Sequence, residues 1–186
     1  ESLAPTLFVP MTGRAEEARA VRPDGGRPEV HNGGFEATLP DSRQPAAWYY
    51  GRQMELVEEA AVPEGKKFLR LANDQPGRPA QVFQGFPVDG ARIGRLRIEA
   101  WVRGDRLRPG VGDEELPRIV VRFQDADRAR ASVARIGAWE GSFPWERRTG
   151  TVVVPTWARE AILQVGMMGG TGRLDVDDVK ITGLER

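Results

Sequence analysis

The chain contains no cysteine, a single histidine and no excess of either charge. Without cysteine it cannot form a disulfide framework, a thiolate zinc site or a thiol nucleophile. Its 27 basic and 27 acidic side chains cancel, which argues against nucleic-acid binding through bulk charge. No apolar run approaches the roughly 18 residues that a membrane-spanning helix needs, so we also expect no insertion into a membrane.

Side chains suited to catalysis are equally scarce. His31 is the sole histidine, and it stands beside a turn with no cysteine or serine partner to activate. The glycine-rich stretch at 167–172 lacks the Lys-Ser/Thr pair of a phosphate-binding loop and leads into no helix. No pair of carboxylates is marked as an acid and a base for glycoside hydrolysis. We therefore predict that the protein is not an enzyme.

Many of the 22 glycines and 14 prolines lie in predicted turns between short β-type runs. Residues 1–28 have almost no large apolar side chain and read as a lead-in or linker, with Thr6–Val9 as its one candidate strand. From residue 29 to residue 186 the runs recur about every 10 to 15 residues, as in a sandwich or barrel. They lie at 47–58, 67–72, 80–88, 94–103, 117–124, 131–139, 148–154, 160–168 and 173–182.

Strict alternation of apolar and polar residues identifies the clearest strand, at 95–103. Leu96, Ile98, Ala100 and Val102 fall on one face, and charged residues with Trp101 fall on the other. An antiparallel sheet with one buried face and one solvated face has this period of two. The sequence therefore predicts an all-β fold, an antiparallel β-sandwich.

Three groups of motifs follow one another along the chain and share their order with a known architecture. The first group is Asn32-Gly-Gly-Phe-Glu36, with Trp48 a dozen residues later. The second runs from 65–71 through 84–88 to 98–103. The third is Trp145, followed by 152–155 and by Leu174-Asp-Val-Asp-Asp-Val-Lys-Ile181. Together they resemble the galactose-binding-like jelly rolls of carbohydrate-binding modules, of the family 4, 9, 16 and 22 type. The resemblance covers roughly residues 29–184.

This resemblance implies a jelly roll with a non-catalytic role. Such a module binds polysaccharide and holds a tethered catalytic domain close to it, which implies a secreted or cell-surface location. A β-glucan, a xylan or a uronate-bearing glycan would each suit. The alternative is a structural or interaction domain of the same fold with no sugar site, because this architecture serves several roles.

Trp101 is the first candidate for sugar binding, because its neighbours of the same parity are all charged and an indole face can stack on a sugar ring. In the resembling modules this face forms a concave groove. The predicted binding residues are Trp101, Arg97 and Glu99 on one strand, Arg122 and Gln124 on an expected neighbouring strand, and Tyr49 and Tyr50. The alternative is that the 106–116 loop covers Trp101 and buries it.

The remaining tryptophans have structural interpretations. We expect Trp48 and Trp145 to lie in the core. Trp139 and Trp157 stand beside turns and either close the edges of the core or offer sugar platforms.

A calcium site is a further expectation. Acidic residues occur at Glu36 and near Asp177, and the two segments meet if the first and last strands pair; hard cations prefer such oxygen ligands. The resemblance implies that Glu36 and Asp177 bind a structural calcium, with backbone carbonyls from Gly34 and Lys67. The alternative is that these acids are solvated and pair with nearby basic residues.

Arginine outnumbers lysine by 24 to 3. Six arginines lie between Arg92 and Arg108 against Glu99 and Asp105. Because arginine binds carboxylates in a bidentate manner, this excess suggests a groove for uronates. A solvated strand face is the simpler interpretation.

Overall fold

The computed structural model describes residues 24–186, and every regular element in this range is a β-strand. The ten strands are β1 (Tyr49–Arg52), β2 (Met54–Glu58), β3 (Lys67–Asn73), β4 (Gln81–Pro87), β5 (Ile93–Arg108), β6 (Arg118–Gln124), β7 (Ala131–Gly137), β8 (Gly141–Val153), β9 (Glu160–Gly166) and β10 (Thr171–Glu185). Over these residues there is no helix of the length and apolarity needed to cross a membrane.

The strands form two five-stranded sheets, in the orders β1-β4-β9-β6-β7 and β2-β3-β10-β5-β8. Every pair of neighbouring strands is antiparallel. The two sheets pack face to face, as in a jelly roll. The all-β sandwich predicted from the sequence is confirmed.

The core lies between the sheets and follows the alternation read from the sequence. Leu96, Ile98, Ala100 and Val102 of β5 are all buried, and they belong to one cluster with apolar residues of the opposite sheet such as Leu163 of β9. Since one face of each strand supplies this cluster, the other face of each sheet is left for a site.

One predicted break is wrong. The predicted runs leave 140–147 as a break between 131–139 and 148–154, yet β8 begins at Gly141 and runs through Pro144. Proline cannot donate a ladder hydrogen bond, and it is tolerated where that donor points away from the sheet. Strand β8 lies at the edge of its sheet, so the missing N–H of Pro144 costs no pairing.

The lead-in falls partly outside the described residues, and Thr6–Val9 lies wholly outside them. Its last residues contact the sandwich: the carbonyl of Gly25 accepts a hydrogen bond from the backbone N–H of Asp89 at 2.7 Å. Pro28 is buried, and a Cβ at Gly183 would lie 3.0 Å from its ring.

Candidate functional site

The predicted binding residues occupy two opposite surfaces of the sandwich. Strands β5 and β6 were expected to be neighbours, but they lie in different sheets. The outer face of the β1-β4-β9-β6-β7 sheet contains Tyr49, Tyr50, Arg122 and Gln124, and we call it the tyrosine face. The outer face of the other sheet contains Trp101, Arg97 and Glu99, and we call it the tryptophan face. One site containing all seven residues is therefore not formed.

Three aromatic side chains stand together at one edge of the tyrosine face. Tyr49 lies opposite Phe83 of β4 in the sheet register, and the rings of Tyr50 and Phe83 make an edge-to-face contact with centroids 6.3 Å apart. Tyr49 is 49% exposed and Tyr50 is 80% exposed. Their rings are thus available to a ligand.

The backbone of β1 explains why two consecutive tyrosines are exposed. The register shifts between Tyr49 and Arg52, and Tyr50 has a φ of 53°, a region that a bulky residue rarely adopts. This bulge interrupts the alternation of the strand. Trp48, immediately before it, is 3% exposed, which confirms its predicted core position.

Trp48 in turn positions the loop that contains Asn32. Its ring stacks on Phe35 at 5.2 Å, and its indole N–H donates to the carbonyl of Asn32 at 3.0 Å. The side chain of Asn32 donates to the carbonyls of Ala37 and Ala46. The first motif of the sequence therefore forms a fixed loop beneath β1.

The centre of the tyrosine face presents amide groups. The side-chain amide of Gln164 on β9 donates to the side-chain oxygen of Gln81 on β4 at 2.7 Å. This bond uses one donor of Gln164 and one acceptor lone pair of Gln81, so each amide keeps further donor and acceptor capacity. Neither residue was predicted from the sequence, although both occupy the outward parity of alternating strands.

The far side of the tyrosine face is basic. Arg122 of β6 and Arg135 of β7 are exposed, and they stand diagonally, because Arg122 pairs with Val133 and Val120 pairs with Arg135. Glu160 is the only acidic residue at an outward position of β4, β6, β7 or β9, and it pairs with Arg128 at 3.2 Å. Gln124 lies beside Glu160 in the register.

The tryptophan face is occupied by its own ion pairs. Trp101 is half-buried and lies between Asp177 and Arg147 in the register. Arg147 donates to Glu99 at 2.6 Å, and Arg97 lies 3.7 Å from the same carboxylate. Polar groups that would bind a ligand here are already paired with one another.

The 106–116 segment begins near the end of β5, about 17 Å along the strand from Trp101. It turns toward the 169–170 turn, where a Cβ on Gly110 would collide with the carbonyl oxygen of Gly169. The loop that was expected to decide whether Trp101 is buried therefore lies elsewhere.

A polar cleft of about 560 Å³ lies farther along the tryptophan face. The buried carboxylate of Asp175 accepts from Arg70 at 2.7 Å and from Arg103 at 2.8 Å, and Arg103 also donates to Glu59 at 3.2 Å. This network was not predicted, since its members come from four separate segments of the chain.

The position of Trp145 corrects an expectation. It was assigned to the core, yet it lies half-buried on the tryptophan face, where its ring meets Phe68 edge-to-face at 5.3 Å and the guanidinium of Arg103 stands 4.8 Å above it. Trp139, in contrast, is buried in the core, and Trp157 is partly buried and packs against the core cluster.

The two acids predicted to bind calcium converge on the 64–67 segment. A carboxylate oxygen of Glu36 accepts from the backbone N–H groups of Lys66 and Lys67, each at 2.7 Å. Asp177 accepts from the backbone N–H of Glu64 at 2.9 Å. Segments some 140 residues apart thus meet in one place. The ammonium of Lys67 also lies at this site, where it donates to the carbonyl of Glu36 at 3.1 Å.

Asp177 is a strongly perturbed carboxyl group. Its pKa is raised from an ordinary 3.8 to about 6, chiefly by burial and also by the nearby charges of Glu64 and Asp178, while two hydrogen bonds from backbone N–H groups act to lower it. The side chain is fully buried. A buried anion of this kind is stabilised by a cation or by a proton.

Gly34 allows Glu64 to approach the same place, because a Cβ at Gly34 would collide with the Glu64 carboxylate. The carboxylates of Glu36, Glu64 and Asp177 therefore all lie near the 64–67 segment, where those of Glu36 and Asp177 accept from backbone N–H groups, and carboxylate oxygens are ligands that hard cations prefer. Within residues 24–186, however, no three acidic or histidine side chains are close enough together to form a ready-made metal cluster.

The arginines between Arg92 and Arg108 do not form one groove. Arg97, Arg103 and Arg106 pair with acids of the tryptophan face. Among these, only Arg103 pairs with acids distant in the chain, Glu59 and Asp175.

Solved structures of similar architecture include modules and enzymes. The enzymatically active domain of bacteriophage CBA120 tailspike protein 4 matches with a TM-score of 0.58 and 14% identity, over 83% of this chain and 21% of that one. TmCBM61 in complex with β-1,4-galactotriose matches with a TM-score of 0.50 and 15% identity, over 83% and 97%. A cyclase from Fischerella sp. TAU, with 4-(1H-indol-3-yl)butan-2-one, matches with a TM-score of 0.52 and 14% identity, over 84% and 96%.

Carbohydrate-binding modules of families 4, 16 and 22 are also among the matching structures. The matches with a TM-score of 0.50 or more, which include TmCBM61, show that this chain has the jelly-roll architecture of such modules. This chain spans about a fifth of the tailspike domain's length. No protein-family model matches the sequence, and no curated protein does. At these identities the likeness establishes the fold, and the function has to be argued from the site.

Proposed function

We propose that the protein is a non-catalytic carbohydrate-binding module whose sugar site is the tyrosine face. The observation that supports this most directly is the arrangement of exposed Tyr49 and Tyr50 beside half-buried Phe83, next to the amide groups of Gln81 and Gln164. Sugar rings stack their C–H faces on aromatic planes, while amides donate to and accept from hydroxyl groups.

The dimensions of the face fit a polysaccharide chain. Neighbouring strands are about 4.8 Å apart, so the five strands of this sheet span about 19 Å from β1 to β7. An open face of this width accommodates several sugar units, with the tyrosines at one end. TmCBM61, a module of comparable length, was solved with a galactotriose.

The carboxyl group with the most perturbed pKa supports a non-catalytic role. A raised pKa is a mark of a catalytic acid, and Asp177 has one. A general acid must reach its substrate, yet this side chain is fully buried and both of its oxygens accept hydrogen bonds from backbone N–H groups. The cyclase match shows that this fold can host an enzyme, but Asp177 is closed to substrate.

In this proposal the module works by raising local concentration. Binding to a polysaccharide at the tyrosine face holds a tethered catalytic domain near its substrate, so a weak sugar contact increases the effective concentration of that substrate. The protein would then act outside the cell or on its surface, where such polymers occur.

A structural calcium belongs to the same proposal. Glu36 and Asp177 would supply carboxylate oxygens, with the backbone oxygens of Gly34 and Lys67 completing the site, and Glu64 is a ligand that the sequence did not suggest. Support comes from the convergence of these acids on the 64–67 segment and from the buried charge of Asp177. A cation here offsets the repulsion among the carboxylates and stabilises the fold.

The experiment is affinity electrophoresis through gels containing β-glucan, xylan, galactan or polygalacturonate. We expect at least one polymer to retard the wild type, and Tyr50→Ala to weaken that retention about tenfold through the loss of stacking. Because Tyr50 is exposed, its thermal unfolding should change little.

Trp101→Ala is the matched control, since it removes an aromatic ring from the opposite face. Retention that survives in this variant places the site on the tyrosine face. Retention lost with Trp101→Ala but kept with Tyr50→Ala would move the site to the tryptophan face. If no polymer retards the wild type, the protein is instead a structural or interaction domain.

A further inference from the structure

The geometry points to a preference of the tyrosine face for polysaccharides that bear carboxylates, with Arg122 and Arg135 as the residues that recognise them. This inference rests on the proposed function, because it names the class of glycan bound at the same face. It differs from the expectation based on the arginines at 92–108, which lie mainly on other surfaces.

The two guanidinium groups are close enough to act on one ligand. Arg122 and Arg135 are diagonal neighbours across β6 and β7, a relation that places their Cα atoms about 7–8 Å apart. Both side chains point outward on the tyrosine face and both are exposed. Arginine side chains of this length can converge on a single carboxylate or on two successive sugar units.

Neither guanidinium has a protein carboxylate as partner within the described residues. On the tryptophan face, Arg70, Arg103 and Arg147 each pair with an acid. On the tyrosine face the nearest acid by register, Glu160, pairs with Arg128. The tyrosine face therefore has two neighbouring guanidinium groups without a carboxylate partner on the same surface as its exposed aromatic rings and amides.

The chemistry of the face selects among sugars. A neutral glycan can use the tyrosines and the glutamine amides but leaves both arginines without a partner. A uronate can use the same stacking contacts and also accept bidentate hydrogen bonds from a guanidinium. These charge-assisted contacts add to retention at low salt and weaken as salt screens them.

Polygalacturonate and its fully methyl-esterified form are the probes, because they share a backbone and differ in charge. At about 50 mM salt we expect the wild type to bind polygalacturonate about tenfold more tightly than the ester. That advantage should disappear at about 500 mM salt. Arg122→Gln with Arg135→Gln should lower polygalacturonate binding to the level of the ester and leave ester binding unchanged.

Arg95→Gln with Arg97→Gln removes the same charge from the opposite face and should change neither affinity. An equal loss in this control would show that net charge, and not the tyrosine face, is responsible. If both polymers bind equally and the Arg122 and Arg135 changes have no effect, while Tyr50→Ala still abolishes retention, the inference is wrong and the proposed function stands. If none of the four gel polymers nor the ester is bound, both are wrong.

Discussion

At the level of single residues, Asp177 is the most unusual group in the structure. It is a carboxyl buried without a basic partner among its hydrogen bonds, which come from the backbone N–H groups of Glu64 and Asp178. Burial raises its pKa to about 6. The folded protein therefore binds a proton at Asp177 more tightly than the unfolded chain does.

This shift predicts a pH dependence in the presence of chelator. A raised pKa in the folded state means that the contribution of Asp177 to stability is full below pH 4 and is lost as the pH rises through about 6. A shift of this size corresponds to about 2–3 kcal/mol. Asp177→Asn cannot ionise at this position. We therefore expect its free energy of unfolding to rise by this amount relative to that of the wild type between pH 4 and pH 7.

Urea unfolding of both proteins across that range measures the difference directly, because other titrating groups cancel in the comparison. Asp105→Asn, a change on the tryptophan face, serves as the control for loss of a carboxylate. A difference between wild type and Asp177→Asn that does not vary with pH would show that Asp177 has an ordinary pKa.

At the level of elements, the bulge in β1 determines what the tyrosine face presents. Its positive φ at Tyr50 exposes a second aromatic ring that a regular strand would turn inward. A non-glycine residue in the left-handed region costs roughly 1–2 kcal/mol. Such strain persists where the surroundings hold it, and functional sites are common among those places.

At position 50 the bulge predicts that glycine is more stabilising than alanine, the reverse of the usual order in a strand. Tyr50→Gly should be more stable than Tyr50→Ala by about 1 kcal/mol, because glycine adopts a positive φ without a steric cost. Both variants should lose polysaccharide retention equally, since both lack the ring. Chemical denaturation and affinity electrophoresis provide the two measurements.

Arg52 supplies the matched comparison, being an exposed residue of the same strand without a positive φ. There the usual order should hold, with Arg52→Ala more stable than Arg52→Gly. The same order at position 50 would mean that the strand is regular in solution and that Tyr50 is not held outward by its backbone.

At the level of the whole molecule, calcium would bind together two segments that lie far apart in the chain. Glu36 precedes the first strand and Asp177 lies in the last, so the unfolded chain separates them by some 140 residues and should bind the ion weakly. Binding then adds to folding stability, by about 2.7 kcal/mol at a free concentration 100 times the dissociation constant.

Chelation should therefore lower the melting temperature by about 5–10 °C, since each kcal/mol shifts it by roughly 2–4 °C for a domain of this size. Differential scanning calorimetry in millimolar calcium and in excess chelator tests this. Glu36→Gln should melt at the chelated temperature in both buffers, while Glu140→Gln, an exposed acid elsewhere, should respond as the wild type does. An unchanged wild-type melt would exclude the site.

The burial pattern of single strands follows from the amino-acid sequence alone. Alternation at 95–103 identified which side chains of β5 are buried, and the spacing of Trp48 from Tyr49 identified an inward ring next to an outward one. These predictions succeeded because burial of alternate residues is a local consequence of the pleat. Glu36 and Asp177 were expected to meet through pairing of the first and last strands, which is wrong because β1 and β10 lie in different sheets; they meet instead at the 64–67 segment.

Which residues share a surface depends on the tertiary fold and could not be read from the pattern of any one strand. Both sheets bury their inner faces in one core, so the apolar pattern of a strand shows that one side faces inward but does not show to which sheet the strand belongs. Strands β5 and β6 follow each other in the chain and still lie in opposite sheets, which separates Trp101 from Arg122. The same routing brings Gln81 beside Gln164 and leaves Arg122 and Arg135 together, because strand pairing depends on how the whole chain crosses the sandwich.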